Sequence, residues 1–380
     1  MIHSNTQSLL PVIADFKTKA ASAPAGPLSG ICGFDGFIDT FIRMEAPDTM
    51  ADFGPKVAAA AGIAASYTVR HEGDKFGGNG PLFASGLHGL WGGNIDVTYI
   101  GAMGRNEVLP IYREAIGGKT KRLVTLAEPA HSDCLEFRDG KVMLCDLRSC
   151  AEITLDRLLD RAGTDALDAE LRDARFIAAV NWGKLVNVGA IWSYLASRLG
   201  QLGRPAKEVV LFMDLAEFEH RPAADVAGLL ESLGSMTRQC RTVLSFNLKE
   251  GWQMAAHLGG DFHGEKQPEA VLELVRFLRA HIAVDRIIVH PNDGAAAADE
   301  TDAVYVPAPF CREPLISTGA GDNFGAGCLS GMLLGLDLAG MLLAGNSSSG
   351  FFVRAGRTGS FTELAALAEA WVAGPLPERL

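Results

Sequence analysis

The sequence predicts a three-layer α/β fold: a mostly parallel central sheet, helices on both faces, and a small β-containing element standing off it. Three observations carry that expectation. Short β-type runs alternate with helical runs along most of the 380 residues, as in strands joined by crossover helices. A two-residue hairpin signal, Asp139-Gly140, breaks the alternation between residues 133–138 and 141–146. A glycine-rich segment, Ser317-Thr-Gly-Ala-Gly-Asp322, runs into a small-residue apolar stretch without proline, as in a tight turn that opens a helix.

Each element has its own reason. Leu9, Leu10, Ile13 and Phe16 share a helical face over Gln7–Ala21. Leu28–Phe34 reads as the first strand, entering Gly33-Phe-Asp-Gly-Phe-Ile-Asp39. Further strands are expected at Val97–Ile100, Phe176–Val180, Val209–Asp214, Thr242–Phe246 and Arg286–His290. Helices are expected at Val188–Leu199, Ala223–Leu233, Leu248–His257 and Pro268–Ala280. Residues 41–75, with a helical run Val57–Ala65, and 119–150, with the hairpin, read as insertions in a single domain over 1–380. Asp337 caps a helix reaching about Arg354, with Gly356 as its stop, and Ser360-Phe-Thr-Glu363 has capping-box spacing ahead of an apolar run to Trp371.

Composition narrows the function. A formal net charge of −11 argues against a nucleic-acid partner, which needs a basic face. The seven cysteines form no Cys-x-x-Cys pair, which argues against a zinc site or disulfide framework and for a reducing compartment. The N-terminus lacks a basic region followed by an apolar core, and no uncharged apolar run is long enough to span a membrane. A cytoplasmic enzyme without a membrane partner is the expectation.

Chemistry concentrates after Ser317. Gly319 and Gly321 let the backbone turn with its N–H groups exposed, and the helix expected near Asp322 adds unpaired amides and a partial positive charge. That combination suits phosphate oxygens, and Asp322 places a carboxylate beside them to take a proton from an attacking hydroxyl. The other reading is a glycine turn that only permits close helix packing. Gly319-x-Gly321-x3-Gly325 also has the look of a loose dinucleotide fingerprint.

Asn247-Leu-Lys-Glu250 is either a helix cap or a polar pair serving a metal ion. Asp35 and Asp39 leave the end of the first strand, where open α/β sheets bind ligands; either carboxylate could anchor sugar hydroxyls or cap a turn. Gly77-Gly-Asn79-Gly80 precedes a helical run, and Asp214 ends a strand that could face the same crevice or simply turn. Gly117-Gly-Lys-Thr120 is similar to the tail of a P-loop, but Arg113 stands where its first glycine belongs, so that reading is rejected.

These motifs, in this order, resemble the ribokinase, or PfkB-type, carbohydrate kinase family. Ser317–Gly327 is similar to its second motif, one residue short between Thr318 and Gly319; Phe76–Gly80 with Gly101-Ala-Met-Gly104 is similar to its first. The resemblance implies a ribokinase-like fold whose insertions form a lid, and ATP-dependent phosphorylation of a sugar, with Mg²⁺ and, in some relatives, K⁺. It implies a catalytic base at Asp322 and an anion hole at Gly319, Ala320 and Gly321. It implies sugar contacts at Asp39 (favoured by spacing over Asp35), Gly77, Gly78 and Asn79, where Asn79 substitutes for an asparagine that Leu82 replaces. Asn247 and Glu250 would orient Mg²⁺ through water, and His290, Asn292 and Asn346 would line the nucleotide. A neutral sugar is expected, because the segments lining the sugar contain no basic residue and Arg43, Lys75 and Arg105 lie just outside them. A kinase of a sugar phosphate or nucleoside, and a non-catalytic sensor on the same fold, remain alternatives, and a homodimer is compatible with the resemblance.

Overall fold

The computed structural model describes residues 1–3, 6–24 and 26–380. Thirteen strands follow in chain order: β1 (Leu28–Gly33), β2 (Phe37–Ala46), β3 (Thr68–Gly77), β4 (Ile95–Ala102), β5 (Arg122–Ala127), β6 (Ala130–Phe137), β7 (Gly140–Asp146), β8 (Ala174–Val180), β9 (Val210–Asp214), β10 (Arg241–Asn247), β11 (Arg286–His290), β12 (Gly294–Ala298) and β13 (Ala303–Pro307). Nine of them form one sheet in the order β13-β12-β11-β10-β9-β8-β1-β4-β5, and β3-β2-β6-β7 form a second. In the large sheet every pair from β11 across to β5 is parallel, and β12 and β13 close one edge antiparallel.

Alternation along each strand makes the layers. Ile31, Ile177, Leu211, Leu244 and Ile287 point into one apolar cluster, where the Val188–Gln201, Ala223–Gln239 and Pro268–His281 helices pack. Their neighbours Cys32, Phe176, Phe212, Val243 and Ile288 point the other way, onto the Asn79–Trp91, Ala320–Leu333 and Leu338–Ala355 helices. Both faces of the sheet are thereby removed from water, which is why its strands read as apolar runs.

Several local expectations shift. The helix in the first insertion is Met50–Ala59, earlier than the apolar run at 57–65, because Thr49 accepts the Asp52 N–H as its N-cap. The strands β2 and β3 flanking it were not anticipated, and residues 122–127 belong to the large sheet. The hairpin turns at Arg138-Asp139, one residue before the expected pair, since Gly140 already pairs with Phe137. The Asp139 carboxylate instead accepts the Met50 and Ala51 N–H groups. At the C-terminal end Asp337, Gly356 and the Ser360/Glu363 capping box act as their spacing predicts. Among the described residues no helix is long and apolar enough to cross a membrane.

Strand order reverses at β1: the chain leaves it for β4 and β5 on one side, then returns to β8 on the other. Crevices of this kind, at the carboxyl ends of parallel strands, are where open α/β sheets hold ligands.

Candidate active site

The predicted site residues gather at those carboxyl ends. Asp35 follows β1, Asp214 ends β9, and Asn247 ends β10 in register with His290 of β11; Asn181, which was not predicted, joins them after β8. A cavity of about 740 Å³ lies over them, lined by Asp39, Gly78, Asn79, Asp214, Asn247, Glu250, His290, Gly319, Gly321 and Asp322 among others. A second, of about 390 Å³, is lined by Asn247, His290, Asn292, Ala320, Gly321, Phe324 and Asn346. The two meet at Asn247, His290 and Gly321, beside Asp322.

The Ala320–Leu333 helix starts two residues before Asp322, with Gly319 as N-cap at φ 92°. The Ala320 N–H turns back to the Ser317 carbonyl at 3.2 Å, so the first-turn amides after it are the ones aimed outward. Asn323, which the motif did not single out, donates to the Gly319 carbonyl at 2.9 Å and accepts from the Thr358 hydroxyl at 2.6 Å, pinning the turn. Asp322 accepts a hydrogen bond from the Asn79 amide at 2.9 Å. Its carboxyl is pushed well above the usual carboxylate range, first by desolvation and then by the charges of Asp214 and Asp35, against the Asn79 hydrogen bond.

Asp35 and Asp39 take different positions. Asp35 is fully buried, and its carboxylate accepts from the Asn79 and Gly80 N–H groups, each at 2.8 Å, and from the Asn181 amide at 2.6 Å. It therefore caps the Asn79–Trp91 helix from a distant strand end. Asn181, also unanticipated, holds φ at 64° to deliver that contact. Asp39 stands in β2 opposite Lys75 of β3; its Oδ1 is buried without a protein partner and it lines the larger cavity. Burial pushes its carboxyl up, opposed by the Ser132 hydroxyl and the charges of Lys141 and His131. Gly77 and Gly78 are needed between the two carboxylates: a Cβ on Gly77 would lie 2.3 Å from Asp39 Oδ2, and Gly78 has φ 104°.

Asn247 and Glu250 form a reciprocal capping box, each side chain accepting the other's backbone N–H at 2.9 Å, while the Asn247 amide donates to Glu250 Oε1 at 2.6 Å. Desolvation pushes the Glu250 carboxyl up, and the charge of Asp214 pushes it further. Asp214 is itself raised by desolvation, against a hydrogen bond from the Ala216 N–H at 3.0 Å. His290 stacks on Phe324 with centroids 4.5 Å apart, and burial lowers it to about 4, so its imidazole is neutral at pH 7. The Asn346 amide donates to the Val306 and Pro307 carbonyls. Among the described residues no group of three or more His, Cys, Asp or Glu is placed to hold a metal ion.

Comparison with known proteins bears on the family and the fold. A ketohexokinase from Haloferax volcanii is 29% identical over 254 residues, covering 66% of this chain and 65% of that protein, so the match spans just under two thirds of the relative's length. Arabidopsis thaliana ribokinase complexed with ribose and ATP superposes with TM-score 0.63 at 16% identity, over 91% of this chain and 99% of that one. A putative ribokinase II from E. coli in complex with ATP and Mg²⁺ gives 0.61 at 13% identity, over 91% and 99%. These likenesses establish the ribokinase-like fold. The sequence model of the prokaryotic ketohexokinase family matches residues 27–371, nearly the whole chain: this protein belongs to that family.

Proposed function

We propose that the protein transfers the γ-phosphoryl group of ATP to a hydroxyl of a neutral sugar, a ketohexose being the first candidate from its family. The observation that carries this reading is the meeting of the two cavities at Gly321, with Asp322 on the acceptor side. ATP fits the cavity with Asn292, Asn346 and neutral His290, and the sugar fits the one with Asp39 and Asn79. The unpartnered Asp39 Oδ1 is the acceptor that a sugar hydroxyl would satisfy. The small sheet, built largely from insertions 41–75 and 119–150, serves as the lid.

Each residue then has a task. Asn79 holds the Asp322 carboxylate toward the acceptor hydroxyl, and Asp322 takes its proton as the oxygen bonds to phosphorus. The bond from the γ-phosphorus to the bridging oxygen breaks and ADP leaves, while the first-turn amides of Gly321 and Asp322, beyond the Ala320 N–H held by Ser317, face the charge on the transferring oxygens. Asp35 acts through the Asn79 helix rather than on the sugar. The mutually repelling carboxylates of half-buried Asp214 and buried Glu250 fit a divalent cation held through its waters. Mg²⁺ there, oriented by Asn247 and Glu250, would neutralise phosphate charge. A neutral acceptor is supported by three basic residues nearby being occupied: Arg43 pairs with Glu136 and Glu72, Arg105 with Glu152 and Glu128, and Lys75 lies over the Phe41 ring.

The test is an ADP-release assay across ketohexoses, aldohexoses, pentoses, nucleosides and sugar phosphates. Turnover is expected with a neutral sugar, and Asp39→Ala should raise KM for that sugar at least about tenfold while changing KM for ATP little. A kcat/KM about tenfold higher for a phosphorylated sugar, abolished by Arg105→Ala, overturns the neutral acceptor. ADP release with none of them overturns the kinase reading.

A further inference from the structure

The larger cavity is lined by five carboxylates, Asp39, Asp214, Glu217, Glu250 and Asp322, and by one lysine or arginine, Lys184. Lys184 is already held by Glu217 at 2.9 Å. The terminal phosphate of a triphosphate, reaching this surface at Gly321, brings more negative charge. Cationic compensation there has to come from another element.

Lys141 lines an adjoining cavity that shares Asp39 and Thr318 with this one. It is the second residue of β7, opposite Glu136 of β6, and its Nζ donates to the Thr318 hydroxyl at 2.7 Å. Thr318 lines the larger cavity and precedes Gly319, the N-cap of the Ala320–Leu333 helix. Among the described residues Lys141 forms no ion pair with a carboxylate, unlike Lys184 and Lys249, which are paired with Glu217 and Glu219. One of its three N–H donors is used by Thr318, leaving donors for a ligand. Its charge also acts on Asp39, so it stands between the acceptor side and the glycine turn. The turn is one residue shorter than the resembled motif between Thr318 and Gly319, and this tether from the small sheet sits at that shortened point.

We propose that Lys141 is a catalytic residue of the lid, whose ammonium contacts the transferring phosphoryl oxygens. It keeps all its protons throughout; the hydroxyl proton goes to Asp322. This rests on the sugar-kinase reading, and the test keeps the two apart.

Lys141→Met, Lys141→Arg and Thr318→Val are compared with wild type for kcat, KM, melting temperature, and affinity for Mg²⁺ complexes of ADP and of the β,γ-imido analogue of ATP. Lys141 is exposed, so melting temperatures should agree. Lys141→Met should lower kcat about 10²-fold and lower the preference for the triphosphate analogue over ADP about tenfold. Lys141→Arg should restore most of both, and Thr318→Val should change kcat by less than about threefold, since the charge stays. A Lys141→Met enzyme within about threefold of wild-type kcat overturns the proposal. So does a Thr318→Val loss equal to that of Lys141→Met, which marks a mere latch, or an effect confined to KM for a phosphorylated acceptor. If wild type turns over no sugar, the sugar-kinase reading fails while the nucleotide preference still decides Lys141.

Discussion

Replacing Asp322 with asparagine should uncouple catalysis from stability. The side chain keeps its shape, and the asparagine Oδ1 can still accept the Asn79 amide now 2.9 Å from Asp322. The outward amides of the following helix belong to the backbone and are untouched. What is lost is proton acceptance, which contributes about 10²–10⁴-fold to rate, about 2.7–5.5 kcal/mol of barrier. Stability should move the other way. Burial raises the Asp322 carboxyl in the folded protein, so folding favours the protonated form. Its contribution is complete below the ordinary aspartate range and is lost as pH rises toward the folded value. Asparagine mimics the protonated form at every pH. The variant should therefore melt above wild type at pH 8, with the gap closing near pH 4. Steady-state ADP release, nucleotide titration and scanning calorimetry at the two pH values measure all three quantities. A folded variant with kcat within tenfold of wild type would refute the assigned base, and equal melting temperatures at pH 8 would refute the burial argument.

Three further outcomes follow from the same geometry. Asn79→Ala removes the donor that favours the Asp322 carboxylate, so the acidic limb of the kcat/KM profile should move to higher pH; an unmoved limb refutes the contact's role. Glu250→Gln should raise the Mg²⁺ concentration needed for half-maximal rate. It should also flatten the fall in melting temperature as pH rises above about 4.5, because the raised Glu250 stabilises the fold only while protonated; unchanged Mg²⁺ dependence leaves Asn247 and Glu250 as a plain cap. Gly80→Ala places a Cβ 2.5 Å from the Tyr99 hydroxyl and 2.9 Å from Asp35 Oδ1, so denaturant unfolding should show a loss of about 1–3 kcal/mol; a midpoint equal to wild type removes Asp35 and Tyr99 as a rigid wall.

The parallel sheet was legible because its strands are buried on both faces and must be apolar throughout. Arg286–His290 and Leu248–His257 even keep their expected bounds. β3 was hidden for the opposite reason: all but its last two residues are exposed, so no face imposes alternation. β12 is buried along its whole length yet consists of glycine and alanines, which carry little β preference. In the site, the Asn247/Glu250 cap could be read from local spacing. The Asn79–Asp322 contact joins residues 243 positions apart, and Asn181 signals itself only as a polar residue directly after an apolar strand. The Lys141–Thr318 contact depends on the small sheet meeting the glycine turn, which no local pattern encodes.

The small sheet also sets an order of assembly. Its central pair, β2 with β6, joins residues about 90 positions apart, and the intervening chain includes β4 and β5 of the large sheet. Closing so long a loop costs entropy that only a completed framework offsets. The small sheet should therefore form after the nucleus, with low φ-values, and reopen locally without global unfolding. Amide hydrogens of β3 and β7, whose residues are mostly exposed, should exchange long before those of β8 and β9. The part of the molecule proposed to cover the acceptor is thus the part most easily lost and regained, while the carboxylates beneath it stay in place.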